Sequence, residues 1–572
     1  MARSVHDRYR AAFVDAIART LGAAPAEIEP HVKAAEPQHG DLSFPTFAFA
    51  KALRRPPPAI ATDLATRVEA PGMRVAAAGP YLNARFEPQP FTGEVIEAVR
   101  SAGLAYGGSE AGAGKTVVID YSSPNIAKSI AFHHIRSTMI GHALVNLYRS
   151  QGWRVEGINY LGDWGKQFGL VAVGFQEYGD PARRDDVAHL VDVYIKANAR
   201  AERDPAFDER ARTFFKRMED GDPEALKLWQ EFRESSLRDF QQVYARLGVE
   251  FQHYEGESRY QGKMDAVIER IATQPGVKSD EGALIVDLPY AENEPPVLLR
   301  KNDGSTLYAT RDLAAAIDRY ERFRFDRALY VVATDQSLHF RQFFRVLKAM
   351  GYEWADRLVH VNFGRVGGMS TRKGQIVLLT DVLDEAKSRA LDKVQENVKA
   401  GRIHTDDPDA LAEQVGLGAV VFGDLKNRRA TDYQFDWEEV LSFEGHTGPY
   451  LQYAHARACN ILKKGGGEVG AYDAGLLTLP EEQALVRQVA RLPAVVSDAV
   501  EQNEPSHVSR YLLDLAAAFS RWYTLGNQER DKRVLVEGKD GVRAARVALT
   551  DAVRLTLASG LSLLGIATPE NM

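Results

Sequence analysis

Hydrophobic positions along this chain change period several times, and each change marks a new element. MARSVHDRYRAAFVDAIARTLG repeats apolar residues at helical spacing and predicts an amphipathic N-terminal helix. LRRPPPAIATDLA reads as a proline stop followed by a further helix. AYGGSEAGAGK, residues 105–115, reads as a flexible linker of small residues. TVVIDY is an uninterrupted β-branched run, the mark of a buried strand, and RSTMIGHALVNLYRSQG returns to the helical period. WRVEGINYLGDWG reads as the next strand and its loop. Strand alternating with helix predicts an α/β fold built on a parallel, doubly wound sheet.

That alternation breaks near residue 170. Mixed charge with the apolar spacing of exposed helices runs to about 255, as in DERARTFFKRMEDGDPEALKLWQEF. Strand-like runs resume at GALIVDLP, PVLLRK and RALYVVATD, so 170–295 is expected to be an insertion between two halves of one sheet. IVLLTDVLDEAKSRALDKVQENV opens a helical region, and 445–572 reads as almost wholly helical, broken by KKGGGEVGAYDAGLLTLP.

Composition narrows the setting. Roughly four domains are expected at this length, and 45% hydrophobic with 26% charged residues suits a protein that buries several cores. The single cysteine, Cys459, excludes internal disulfides and multi-thiolate zinc sites. No apolar stretch has the length of a membrane span, and the N-terminus lacks the apolar core of a signal peptide. A reducing, cytoplasmic location is therefore expected. Net charge is −7, which argues against indiscriminate nucleic-acid binding. Residues 451–572 are neutral, with 14 basic and 14 acidic side chains, so the rest carries the whole deficit.

Chemistry concentrates in two loops. In DYSSPNIAKSIAFHHIRST, Lys128, His133, His134 and Arg136 crowd a predicted helix entrance just beyond a strand. Ligands of doubly wound sheets bind outside the strands' carboxyl ends, and helix N-termini favour anions. A polyanion is expected there, although neither a Gly-x-Gly-x-x-Gly nor a Walker loop is present. The plainer alternative makes the histidines ordinary packed groups and Arg136 half of an ion pair. Downstream, GRVGGMSTRKGQIVLL offers hydroxyls and two cations before an expected strand. Paired, the two loops suit the phosphates of ATP, whose departing pyrophosphate needs charge stabilisation.

These loops resemble the two signatures of class I aminoacyl-tRNA synthetases. DYSSPNIAK, HHIRSTMIG, LGDWGKQFG, LYATRDLAAAIDR, MSTRKG, GHTGPYLQYAHAR and the ending VRAARVAL…GLSLLGIATPENM together resemble the arginyl-tRNA synthetase family. The resemblance implies ATP-dependent ligation of L-arginine to tRNA(Arg) through an arginyl-adenylate, with activation requiring bound tRNA, magnesium on the ATP phosphates and a monomer. No dedicated metal site is expected. The implied organisation is an N-terminal tRNA-contacting α+β domain (1–110), two halves of a Rossmann-like catalytic domain (111–169 and 296–380) and a connective insertion (170–295). A helical stem-contact region (381–444) and an all-α anticodon-binding domain (445–572) complete it. Three positions depart from the family pattern: Ala131 replaces the first signature's first histidine, His133 its glycine, and Gly368 the second signature's leading lysine. Tyr160 also stands where the family usually has histidine.

By resemblance, Lys128, His133, His134, Ser370, Arg372 and Lys373 carry catalysis, and Pro124, Gly368, Met369 and Thr371 help hold ATP. His133 or His134 is expected to donate to the developing oxygen charge. Around arginine the resemblance sets Asp120, Asn125, Tyr308, Asp312 and Gln342. A planar guanidinium favours paired carboxylate oxygens, so Asp120 and Asp312 are the expected clamp, with the Tyr308 hydroxyl beside them. The i, i+4 spacing puts Tyr308 and Asp312 on one helix face. An ion pair of Asp312 with Arg311 or Arg319 is the plainer alternative. For tRNA, Tyr450, Tyr453, Trp522 and Tyr523 are candidates for base stacking, Arg457 for phosphates, and Met572 for the anticodon side.

Overall fold

The computed structural model describes residues 4–36, 38–126, 128–274, 276–280, 283–286, 294–300, 308–368, 377–401 and 404–572, with Asp280 and Tyr308 as backbone alone. The first helix, Val5–Leu21, is capped by the Ser4 hydroxyl, which accepts the Asp7 N–H, and ends on Gly22 in a left-handed conformation. Four antiparallel strands follow: β1 (Lys33–Ala34), β2 (Leu42–Pro45), β3 (Met73–Ala78) and β4 (Tyr81–Phe86), in the order β1-β2-β4-β3.

The central sheet starts at β5 (Thr116–Asp120), whose Val117, Val118 and Ile119 are buried, as a strand covered on both faces requires. It continues with β6 (Arg154–Leu161) and β7 (His253–Gly256), all parallel. A small antiparallel sheet follows, of β8 (Val277–Asp280), β9 (Ala283–Val286) and β10 (Val297–Arg300). The chain then crosses over, and β11 (Arg327–Tyr330) and β12 (Leu358–His360) extend the central sheet on the other side of β5. Its order is β12-β11-β5-β6-β7, so strand order reverses between β5 and β11. The helix Ile135–Ser150 lies close on β5: a Cβ at Gly141 would stand 2.3 Å from the Tyr121 ring.

Four helices between Lys166 and Leu247 form a layer of their own. Three of them start at aspartate caps, Asp186, Asp204 and Asp222. The strand β7, inside the stretch expected as an insertion, belongs to the central sheet instead. Its sequence, HYEG, is too polar and short to announce a strand. Residues 105–115 are likewise no free linker. The Tyr106 hydroxyl donates to Val489 O at 3.1 Å, and Gly112 N–H donates to Gln151 O at 2.8 Å. Gly112 is there for close approach, because a Cβ would stand 2.0 Å from the Trp153 ring.

Beyond β12, β13 (Val366–Gly367) pairs in parallel with β14 (Tyr433–Gln434). Of the strand expected after the second cationic loop, the described residues show a single bridge between Leu378 and Ala131, with the helix Leu379–Lys399 starting directly after it. Five helices from Gly448–Gly465 to Asp540–Leu563 build the C-terminal unit. The N-terminal unit rests against it through an Asp41–Arg487 ion pair at 2.7 Å.

Candidate active site

The switch in strand order opens a crevice past the carboxyl ends of β5 and β11, where Asp120 and Tyr330 are register partners. One residue beyond Asp120, past Tyr121, Ser122 and Ser123 both hold positive φ, 68° and 49°. Their side chains hold this turn: the Ser122 hydroxyl lies 2.8 Å from Thr138 Oγ1 and Tyr244 Oη, and the Ser123 hydroxyl donates to Asp120 Oδ1 at 2.8 Å. Two consecutive non-glycine residues in this region mark a turn that its surroundings enforce.

The first cationic loop enters the helix Ile135–Ser150 through a 3-10 turn, Phe132–His134. Phe132 N–H donates to Val377 O at 2.9 Å, and Leu379 N–H to Ile130 O at 2.8 Å. The helix entrance is thereby tied to the segment that ends the second loop. Met369, Ser370, Thr371, Arg372 and Lys373 lie outside the described residues. Gly368 is described, with φ of 86° and a Cβ position only 2.3 Å from Phe435 O, so a lysine there would need the backbone moved.

His134 is the anchored imidazole. Its Nδ1 lies 3.1 Å from both the backbone nitrogen and the carbonyl oxygen of Ala131, which together orient the ring. Burial, with His133 and Lys128 adding to it, pushes its pKa down to about 4, so the ring is neutral near pH 7. His133 is more exposed and lies against it, ring centroids 4.2 Å apart. Lys128 is exposed, its ammonium 5.3 Å from the Tyr194 ring centre. Pro124 is buried, and its carbonyl accepts the Gly162 N–H at 3.1 Å.

Arg136 does not face the crevice. It is buried, its Nε 3.0 Å from Asp424 Oδ1 and its Nη1 donating to Gly364 O and Thr431 O. The plainer alternative, half of an ion pair, describes it.

Carboxylates crowd the other half of the crevice. Asp120 is paired with Arg319 at 2.8 Å, Asp163 with Arg233 at 2.8 Å, and Glu257 with Arg311 at 3.0 Å. Asp312 meets neither Arg311 nor Arg319 in an ion pair; the His339 imidazole stands 2.6 Å from its Oδ2. The expected clamp of Asp120 with Asp312 is therefore not a free pair, because Asp120 already has a guanidinium. Glu257 is pushed up to about 7 by burial and by the charges of Asp312 and Asp163, against the pull of Arg311. Asn125 sits over Gly162, where a Cβ would be 1.9 Å from its Oδ1. Gln342, on the helix Ser337–Ala349, donates to Pro295 O at 2.7 Å. The Tyr308 side chain lies outside the described residues.

In the C-terminal unit, a cavity of about 400 Å³ is lined by Tyr453, Arg457, Lys464, Tyr523 and Met572 among others. The Arg457 guanidinium lies 4.6 Å from the Tyr453 ring centre and 4.9 Å from that of Tyr523. Met572 is buried in the cavity wall. Trp522 is a correction: it is 1% exposed and belongs to the helical core, since its neighbour Tyr523 takes the outward position on the same helix. Tyr450 is half-buried, its hydroxyl 3.4 Å from Ser520 Oγ.

Three family models match the chain: the class I (R) tRNA synthetase catalytic domain over 96–437, the DALR anticodon binding domain over 451–572, and the arginyl tRNA synthetase N terminal domain over 7–86. The chain is 43% identical over 542 residues to the arginine–tRNA ligase of Clostridioides difficile, covering 93% of this chain and 94% of that one. The chain belongs to the arginyl-tRNA synthetases. To the enzyme of Lactococcus lactis the synthetase is 42% identical over 541 residues, with 93% and 94% covered. Its fold matches Thermus thermophilus arginyl-tRNA synthetase with a TM-score of 0.82 at 26% identity, covering 98% of this chain and all of the other.

Sequence reasoning passed over Glu257 and His339 in the synthetase's crevice. Both had signals. Glu257 follows a glycine directly after the polar HYEG run, and His339 precedes Gln342 by three positions, one helical turn.

Proposed function

We infer that this chain joins L-arginine to tRNA(Arg) in two steps driven by ATP. The arginine carboxylate attacks the α-phosphorus of ATP, pyrophosphate leaves, and arginyl-adenylate forms. A ribose hydroxyl at the tRNA 3′ end then takes the arginyl group, releasing AMP. The carrying observation is an electrostatic vacancy. Asp120, Asp163 and Glu257 each have an internal guanidinium, whereas Asp312 has only an imidazole among the described residues. A substrate guanidinium fills that vacancy, with Glu257 near enough to contribute a second charge. Asn125 and Gln342 serve the α-amino and carboxylate end of arginine.

On the ATP side, His134 Nε2 donates to phosphate oxygen while its Nδ1 is held by Ala131. Lys128, His133 and the loop with Arg372 and Lys373 supply the remaining donors and positive charge. Magnesium, held by the ATP phosphates and not by a protein site, would supply neutralisation of their charge. Among the described residues no group of three or more His, Cys, Asp or Glu is placed to hold a metal. The Arg457 cavity receives anticodon bases by stacking against Tyr453 and Tyr523. The chain acts as a cytoplasmic monomer.

Arginine-dependent exchange of pyrophosphate into ATP, with and without tRNA, tests this reading. Exchange that requires both arginine and tRNA is expected. Exchange driven equally by lysine, or none under any condition, would overturn it.

A further inference from the structure

Tyr160 lies near the carboxyl end of β6, the strand beside β5, and has no role in the proposed ligation. It is the seventh residue of β6, two past Ile158, the register partner of Asp120, and it pairs with Glu255 of β7. Its ring lies 4.9 Å from the Arg319 guanidinium, the one held by Asp120, and 6.0 Å from the Tyr260 ring. Its hydroxyl is buried and has no hydrogen-bond partner among the described residues. An unmatched buried hydroxyl carries a desolvation cost that a phenylalanine in the same packing would not incur. The groups acting on it are carboxylates and one guanidinium: Asp312, Glu257 and Arg319, with the Tyr260 hydroxyl. Burial, reinforced by Asp312 and Glu257, holds the phenol far above its ordinary pKa, so it stays a neutral O–H with lone pairs to offer.

We propose that the Tyr160 hydroxyl is a specificity contact for arginine, accepting one N–H of the substrate guanidinium beside Asp312. The proposal rests on the assignment of Asp312 to the guanidinium. A guanidinium has five N–H donors in a plane and needs acceptors beyond one carboxylate, whereas an ammonium is a compact point charge. An oxygen set to accept from the fork thus favours arginine over lysine, because a site built for a hydrogen bond rejects the ligand that cannot make it.

The test is Tyr160→Phe in the full-length enzyme, which keeps the ring and removes the oxygen. Arginine KM in tRNA charging should rise about tenfold or more, the size expected for a hydrogen bond to a charged group. The ATP KM and kcat at saturating arginine should hold. Agmatine, which carries the guanidinium without the carboxylate, should lose inhibitory strength by a similar factor. Tyr160→His, which returns a ring nitrogen, should recover part of the loss. An unchanged arginine KM in Tyr160→Phe, or equal rises for arginine and ATP, would overturn the proposal. Asp312→Asn run alongside separates the two readings. If it raises the arginine KM and Tyr160→Phe does not, only the role of Tyr160 fails. If neither variant moves it, the assignment of the pocket itself fails.

Discussion

Phe132 N–H donates to the carbonyl of Val377 at 2.9 Å, and this contact brings two distant parts of the sequence together. Pairing of Ile130–Phe132 with Val377–Leu379 sets the segment that opens the helix Leu379–Lys399 beside the helix entrance that carries His134.

The histidines should separate cleanly. His134 is anchored on Ala131 and half-buried, whereas His133 is exposed. Losing one preorganised donor typically costs ~10²–10³ in rate. His134→Ala should slow arginine activation by about that factor with tRNA binding unchanged, while His133→Gly should cost less than about tenfold. Single-turnover adenylation rates check both, and the reverse order would hand the donor role to His133.

Asp312→Asn should raise the arginine requirement by about 10- to 100-fold and leave the ATP requirement nearly unchanged. It removes a charge-assisted partner from a cation. Steady-state charging kinetics with each substrate varied in turn decide it. Equal effects on both substrates would make Asp312 a structural residue.

Glu257 predicts a pH dependence. Its pKa of about 7 lies above the ordinary carboxylate range, so folding favours its neutral form. That contribution to stability is complete below the ordinary carboxylate pKa and is lost as pH rises through about 7. Affinity runs the other way, because ionised Glu257 adds a negative charge beside the guanidinium. The arginine KM should fall by up to about tenfold between pH 6 and 8, following the ionised fraction of one group. Glu257→Gln should flatten that limb; a limb of the same size in the variant would assign it to another group.

The two neighbouring aromatics of the C-terminal unit should behave oppositely. Arg457→Ala and Tyr523→Ala should weaken tRNA binding by several-fold, in line with lost stacking and cation–π contact, without lowering the melting temperature much. Trp522→Ala should destabilise the protein by about 3–5 kcal/mol, as a large buried side chain does. Filter binding beside thermal melting distinguishes them. Removing 569–572 should act like Arg457→Ala, because Met572 forms part of the same wall.

Much of this was legible in the sequence because it is local. The β-branched TVVID run, the mixed-charge helices and the cationic loops announce themselves within a few residues. Asp312 came from the family resemblance, and its i, i+4 spacing then set it on one helix face with Tyr308. What stayed hidden is pairing. Nothing near Asp120 says that Arg319 will neutralise it, since that contact depends on the crossover that sets β11 beside β5. For the same reason Arg136 looked like a ligand group, when its carboxylate, Asp424, arrives from the helix Pro408–Leu425. Glycines 107 and 112 misled in another way: small residues permit flexibility, but they also permit contact, and here contact prevails.

The junction of Asp41 with Arg487, and the packed segment from Tyr106 to Lys115, set a fixed span between the N-terminal sheet and the Arg457 cavity. A fixed span is a gauge. Under the proposed function, an RNA touching both ends would be selected on its length as well as its bases. One base pair added between those points is expected to shift the second contact along the helix and rotate it away, lowering the charging of a tRNA that keeps the right anticodon.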